Sequence, residues 1–338
     1  MRRHSRECVT SAAVDPATNE QAKELAMVDK LKKIWMDGEF VDWDKANVHI
    51  LTHSLHYGLG AFEGIRAYRR ADGQTAIFRL TEHIDRLYDT CKLIAIKPTF
   101  TKEQVMSACK DILRANDMVE GYMRPLIYMG DGPMGVYAHD NPVKTAIIAW
   151  HWGAYLGKGA VETGIRAKIS SFARHHINVG LAKAKMMGQY TNSSLAKREA
   201  RVAGYNEAIL LDPNGYVSEG SGENIFIVRR GKLYTPPPSA SILEGITRDT
   251  ILALAREEGI PTSEEMIVRD QLYLADEVFF TGTAAEVTPI REVDDRPIGD
   301  GKIGPITAKL QARYFDIVKG SDESHPEWLA HLSPLNQA

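Results

Sequence analysis

The sequence predicts an α+β fold in two domains, and three observations carry that expectation. Stretches with strand-like and helix-like apolar spacing are mixed without the strict βαβ alternation of a doubly wound sheet. The chain has 338 residues, more than the roughly 150 that a single domain tends to use. Near its middle lies a glycine-rich stretch, Trp152-Gly153-Ala154-Tyr155-Leu156-Gly157-Lys158-Gly159, which reads as a linker over residues 152–160. The expected division is a disordered tail at 1–27, a small N-terminal domain at 28–151 and a large C-terminal domain at 161–338.

The elements follow in chain order. Lys33–Met36 and Phe40–Trp43 flank Asp37-Gly38, a hairpin signal. His49, His53 and His56 come next; their spacing could set imidazoles on one helical face and raises a metal-dependent hydrolase as an alternative. No HExxH-type carboxylate accompanies them, so a wall or structural role is preferred and no metal is expected. Phe62–Tyr68 and Thr75–Arg79 read as strands joined through Ala71-Asp72-Gly73. Thr81 is expected to cap a helix carrying Ile84, Leu87 and Leu93, with Arg86 one turn in. Thr101 to Asn116 reads as a second helix, opened by a Thr101-x-x-Gln104 capping box.

Tyr122–Tyr128 and Lys144–Trp152 are apolar strands around a Gly/Pro/Met loop. Beyond the linker come a strand at Ile165–Ile169, a lysine-bearing segment around Lys183 and Lys185, and a helix running to Ala203. A strand at Glu207–Leu211 turns at Pro213-Asn214-Gly215. Thr247 suits an N-cap and Asp249 a first turn, and the amides of Ile246 and Thr247 at that helix start would favour an anion such as phosphate. Glu277–Phe280 is a strand running into Thr281-Gly282-Thr283-Ala284, and a last helix spans Pro305–Val318.

Composition excludes several classes. The chain is 44% hydrophobic and 25% charged with a formal net charge of -3, which gives no hint of a nucleic-acid or anionic-membrane partner. Cys8, Cys91 and Cys109 are far apart and odd in number, so neither a disulfide frame nor a zinc site is indicated and a reduced cytoplasmic setting fits. No apolar run approaches the ~18 residues of a membrane span. The basic start, Met1-Arg2-Arg3, lacks the apolar segment of a secretory signal.

The decisive stretch is Glu219-x-Ser221-x-x-Asn224-Ile225-Phe226, followed by Leu233-x-Thr235 and Leu243-x-Gly245-Ile246-x-Arg248. Its spacing resembles the signature of the fold-type IV, class IV pyridoxal-phosphate aminotransferases, and the resemblance to their branched-chain members covers residues 33–320. It implies two domains with the active site at their interface and pyridoxal 5′-phosphate as cofactor. Lys185 is the implied Schiff-base lysine, chosen over Lys183 because Tyr190 stands five residues on. Its amine must be neutral to act as a nucleophile. Glu219 is assigned to the pyridine nitrogen and Tyr190 to the ring's phenolic oxygen. Arg86, Ile246, Thr247 and Thr283 are assigned to the phosphate.

Thr283 and Ala284 amides would meet the substrate carboxylate, with Tyr122 and Arg124 nearby. Tyr57, Phe62 and Trp152 would wall an apolar pocket in which Gly64 leaves room, and Arg124 would accept the second carboxylate of glutamate. The implied reaction moves the amino group of L-leucine, L-isoleucine or L-valine to 2-oxoglutarate by a ping-pong route. The loop at Met134-Gly135-Val136 resembles one that reaches a neighbouring subunit, implying a homodimer or a larger dimer-based assembly. Met186-Met187 departs from the family's smaller residues and bears on substrate range. D-amino-acid or (R)-amine transamination and an aminodeoxychorismate lyase are the alternatives within the fold, and a non-catalytic phosphate-binding module is one outside it.

Overall fold

The computed structural model describes residues 28–137, 140–153, 155–157 and 159–332. The tail expected at 1–27, with Cys8, lies outside them. Among the described residues the chain forms an eight-stranded and a ten-stranded sheet.

The first sheet is antiparallel throughout. Lys33–Met36 and Glu39–Asp42 form the expected hairpin, with Asp37 at φ 49° and Gly38 at φ 100° in its two-residue turn. Gly121–Met129 and Val143–Trp150 pair along their whole length, Tyr122 opposite Trp150 and Arg124 opposite Ile148. The helices Leu80–Leu93 and Lys102–Ala115 cover this sheet, burying Ile84, Leu87, Val105 and Ile112 against Ile65, Met123 and Ile127. The second helix has its capping box: Thr101 Oγ1 accepts from Gln104 N and Gln104 Oε1 from Thr101 N.

Three expectations change. The strand placed at Phe62–Tyr68 is two strands, Gly60–Phe62 and Ile65–Arg69. Both pair with Gly121–Met129, and the break at Glu63-Gly64 turns the Glu63 side chain inward to His83 and Arg86. Thr81 caps nothing: its helix starts at Leu80, after Arg79 turns the chain at φ 47° and ties itself to Glu82 and Asp249 by side-chain bonds of 2.6 Å. Thr247 is likewise inside its helix, Ile246–Glu257, whose N-cap is Gly245 with no side-chain bond.

The second sheet mixes directions. Ile165–Ile169 lies parallel to both Glu207–Leu211 and Glu286–Val293, whereas Asn224–Arg229, Glu277–Gly282 and Glu286–Val293 are antiparallel neighbours. The last described stretch returns to the first sheet. After the helix Pro305–Lys319, the strand Leu329–Leu332 pairs with Thr75–Phe78. A core cluster joins the two sheets there, with Phe78 and Trp328 packed among Phe226, Phe279, Leu254 and Tyr314.

Candidate active site

A cleft with about 830 Å³ of empty space opens between the sheets, and its walls come from both. Lys185 precedes the short turn Met187–Gln189 that leads into the helix Tyr190–Val202. Its backbone is pinned to the first sheet and to the helix that covers it: Phe62 N donates to Lys185 O at 3.1 Å, and Lys185 N donates to Thr90 Oγ1 at 2.9 Å. The side chain reaches into the cleft, where Nζ donates to the Tyr190 hydroxyl at 2.6 Å and lies 5.0 Å from the Phe62 ring centroid. Lys183 points elsewhere. Its amine bonds Pro238 O, Ile242 O and the Glu244 carboxylate, which leaves Lys185 as the lysine of this cleft.

Glu219 leaves the strand Tyr216–Gly220 toward the same space and is buried. Arg174 Nε lies 2.8 Å from its Oε1, while Leu243 N donates to Oε2 at 3.0 Å and Asn224 Nδ2 at 3.3 Å. Burial pushes the Glu219 carboxyl up, with Arg174 and the Leu243 N–H pulling it back. Gly245 is required behind it: a Cβ there would come within 2.0 Å of Asn224 Oδ1.

Arg86 lines the cleft from the helix Leu80–Leu93. Its Nε and one terminal nitrogen donate to the two oxygens of Glu63 at 2.7 and 2.9 Å, and Nη1 donates to Glu244 O at 2.9 Å. Burial alone would raise the fully buried Glu63 carboxyl. Arg86 and His83 Nδ1, 2.7 Å away, overcome that and hold it far below the usual range. A guanidinium has five N–H groups, so two remain for an anion. Ile246 and Thr247 sit beside it at the helix start, where amides have no carbonyl one turn back to bond.

Thr283 and Ala284 occupy the turn between Glu277–Gly282 and Glu286–Val293. Arg66, from the first sheet, steadies that turn by donating to Ala284 O at 3.4 Å and pairing with Glu286 at 3.2 Å. Tyr122 stands edge-on to Trp152 with centroids 4.5 Å apart, and Arg124 donates to its hydroxyl at 3.2 Å with its guanidinium 4.7 Å from the Phe62 centroid. Gly64 does leave room, and the occupant is Tyr122: a Cβ on Gly64 would fall 1.7 Å from its hydroxyl oxygen.

The structure thus gathers Phe62, Gly64, Arg86, Tyr122, Arg124, Trp152, Lys185, Tyr190, Glu219, Ile246, Thr247, Thr283 and Ala284 around one cleft. Tyr57 is the correction. It is 45% exposed, stacks on His53 and does not line the cleft of its own chain. The three histidines are engaged by the backbone. His53 and His56 bond the carbonyls of Gly135 and Ile50, and His49 accepts from Leu51 N; among the described residues no group of three or more His, Cys, Asp or Glu side chains could hold an ion. Met186 and Met187 bridge to the first sheet, Met186 opposite Ala61 and Met187 against Gly60.

Arg174, Glu63 and Arg66 are not found by sequence reasoning. Each acts through a partner distant in the chain, and no local pattern signals such a pair.

The donor set suits a phosphorylated pyridine aldehyde. An amine, a buried carboxylate, an arginine with free N–H groups and a helix start converge on one cavity. Comparison with known proteins decides the family. Residues 60–293 match the family described as amino-transferase class IV. The chain belongs to the class IV aminotransferases. It is 51% identical over 304 residues to a branched-chain-amino-acid aminotransferase of Pseudomonas aeruginosa, covering 90% of this chain and 98% of the relative. The crystal structure of an Escherichia coli branched-chain amino acid aminotransferase matches this class IV fold with a TM-score of 0.88 at 45% identity, over 90% of this chain and 100% of that one. The branched-chain amino acid aminotransferase of Thermobaculum terrenum, solved in its PLP-bound holo form, matches with a TM-score of 0.85 at 36% identity, over 90% and 99%.

Proposed function

We propose that this class IV aminotransferase is a branched-chain amino-acid transaminase dependent on pyridoxal 5′-phosphate. It moves the amino group of L-leucine, L-isoleucine or L-valine to 2-oxoglutarate, giving the branched 2-oxo acid and L-glutamate. The observation that carries the reading is the convergence of the Lys185 amine, the Glu219 carboxylate and the Arg86 guanidinium on one cleft with an aromatic wall.

Arg86, the amides of Ile246 and Thr247, and Thr283 would hold the phosphate, while Glu219 would accept from the ring nitrogen and Tyr190 would bond the phenolic oxygen. Bound there, the cofactor supplies an electron sink for the charge left when the substrate loses its Cα proton. The Lys185 amine would serve as the base that takes the Cα proton of the substrate and as the acid that gives it back. Arg174 keeps a positive charge against Glu219, so the carboxylate is available to the ring. The turn at Thr283-Ala284 offers amides to the substrate carboxylate. Phe62, Tyr122 and Trp152 receive an apolar side chain, and Arg124 receives the second carboxylate of glutamate.

We place the two domains at 28–151 and from 161 onward, with the linker at 152–160 and the cleft between them; the strand Leu329–Leu332 crosses back to complete the first sheet. Exposed Ile50, Leu55, Val136 and Tyr57 form an apolar surface around the loop at Met134-Gly135-Val136, which supports at least a dimer and a role for Tyr57 toward a second copy. No helix among the described residues is long and apolar enough to cross a membrane. Cys91 and Cys109 are free and buried, which supports a cytoplasmic setting.

Turnover of L-leucine, D-alanine and an aromatic amine with 2-oxoglutarate tests the reading. L-leucine is expected to lead by a wide margin; preference for either of the others would reject the substrate assignment.

A further inference from the structure

Glu207, Glu219 and Glu223 form a cluster of buried carboxyls beside the cleft, and only two cations are spent on it. Glu219 has Arg174, and Glu207 has Lys197 from the helix Tyr190–Val202. Glu223 has neither. It is 3% exposed and lines the cleft beside Gly222 and Tyr155. Its Oε2 accepts only from the N–H of Gly222, at 3.0 Å, and its Oε1 is buried without a partner. The strand Glu277–Gly282 closes over it with Phe280 and Gly282, both uncharged. The charged and titratable groups that bear on it are Glu207 from Glu207–Leu211, Glu219 from Tyr216–Gly220 and Lys197. Tyr155, whose hydroxyl is itself pushed up by burial, completes the surroundings.

A buried carboxylate without a counterion and with an orphaned oxygen is costly, whereas a carboxylic acid in the same place is neutral and can donate. We propose that Glu223 keeps its proton at neutral pH, as an uncharged hydrogen-bond donor in the substrate-pocket wall, and that losing the proton turns the wall against a second carboxylate. Burial first, and Glu207 next, push its carboxyl up to about 8, so the change falls on the mildly alkaline side of neutrality. The proposal rests on the assignment of this cleft to amino and oxo acids. It makes Glu223 a specificity-determining residue for the dicarboxylate half of the reaction.

The test compares wild-type holoenzyme with Glu223→Gln, which keeps an acceptor for Gly222 N–H and a donor in place of the hydroxyl. KM is measured at pH 7 and pH 9 for 2-oxoglutarate and for 4-methyl-2-oxopentanoate, neither of which titrates in that range. In wild type the ratio of the two KM values should rise about three- to tenfold between these pH values, and in the variant it should stay flat. Infrared difference spectra of the same proteins, without substrate, should lose a protonated-carboxyl stretch between pH 7 and 9 in wild type only. A ratio with the same pH dependence in both proteins would overturn the proposal, as would the absence of that stretch in wild type. Because the infrared titration uses no substrate, it reads the proton on Glu223 even if the substrate assignment fails.

Discussion

Arg174 Nε lies 2.8 Å from Glu219 Oε1, both groups buried, in a cleft whose reactive amine comes from Lys185. On the proposed reading, the pair decides whether a carboxylate or a carboxylic acid faces the ring nitrogen. Burial already pushes Glu219 up, and Arg174 is the largest force in the other direction. Removing it should raise that carboxyl further. Arg174→Met is therefore expected to move the acid limb of the kcat profile to higher pH and to lower kcat at pH 7 about tenfold or more. Arg174→Lys should recover part of both. A profile unchanged in Arg174→Met would show that Glu219 is ionised without it.

Glu63 aims Arg86. With two N–H groups fixed on the carboxylate, the rest of the guanidinium is held toward the helix start at Ile246. Glu63→Gln breaks a charge-assisted pair and should weaken cofactor binding about tenfold to a hundredfold, read by titrating the apo protein with pyridoxal 5′-phosphate. A match to wild-type affinity would remove Glu63 from the site.

The same carboxylate sets an acid limit on stability. Its native proton affinity is depressed below the ordinary value of 4.5. The sign follows: the stabilisation is present above that value and is lost as pH falls through and below it. Wild type should therefore lose stability more steeply below about pH 4.5 than Glu63→Gln does, as measured by urea midpoints from pH 3 to 7. Equal slopes would contradict the assignment.

Gly64 and Tyr122 share a space that holds only one of them. Gly64→Ala places a methyl where the tyrosine hydroxyl now sits, 1.7 Å away, so Tyr122 must move and its bond from Arg124 must break. The expected result is a rise in KM for L-leucine and L-glutamate alike, with cofactor affinity preserved, because neither residue holds the phosphate. An unchanged KM would place Tyr122 outside the substrate pocket.

These predictions lean unevenly on the sequence. The hairpin at Asp37-Gly38 and the capping box at Thr101 are readable because their chemistry is local: a turn needs particular φ values, and a cap needs a partner three residues on. That Lys185, Tyr190 and Glu219 share one cleft is readable because their motif spacing is long and specific. Glu63 reads as an ordinary strand residue and Thr81 as a cap, since the contacts that overrule those readings come from residues distant in sequence, including Trp328 of the last turn before the returning strand. That return of Leu329–Leu332 to the first sheet has no local signal at all. Tyr57 shows a third limit. Its motif resembles a pocket wall, yet the side chain stacks on His53 and does not line its own cleft.

The most direct test concerns which lysine carries the cofactor. Lys185 Nζ meets Tyr190 inside the cleft, whereas Lys183 is tied to two carbonyls and Glu244 outside it. Borohydride reduction of the yellow holoenzyme, followed by peptide mass spectrometry, should find the phosphopyridoxyl group on Lys185 alone, and Lys185→Ala should neither retain it nor transaminate. Recovery of the group on Lys183, or near wild-type turnover by Lys185→Ala, would contradict the account.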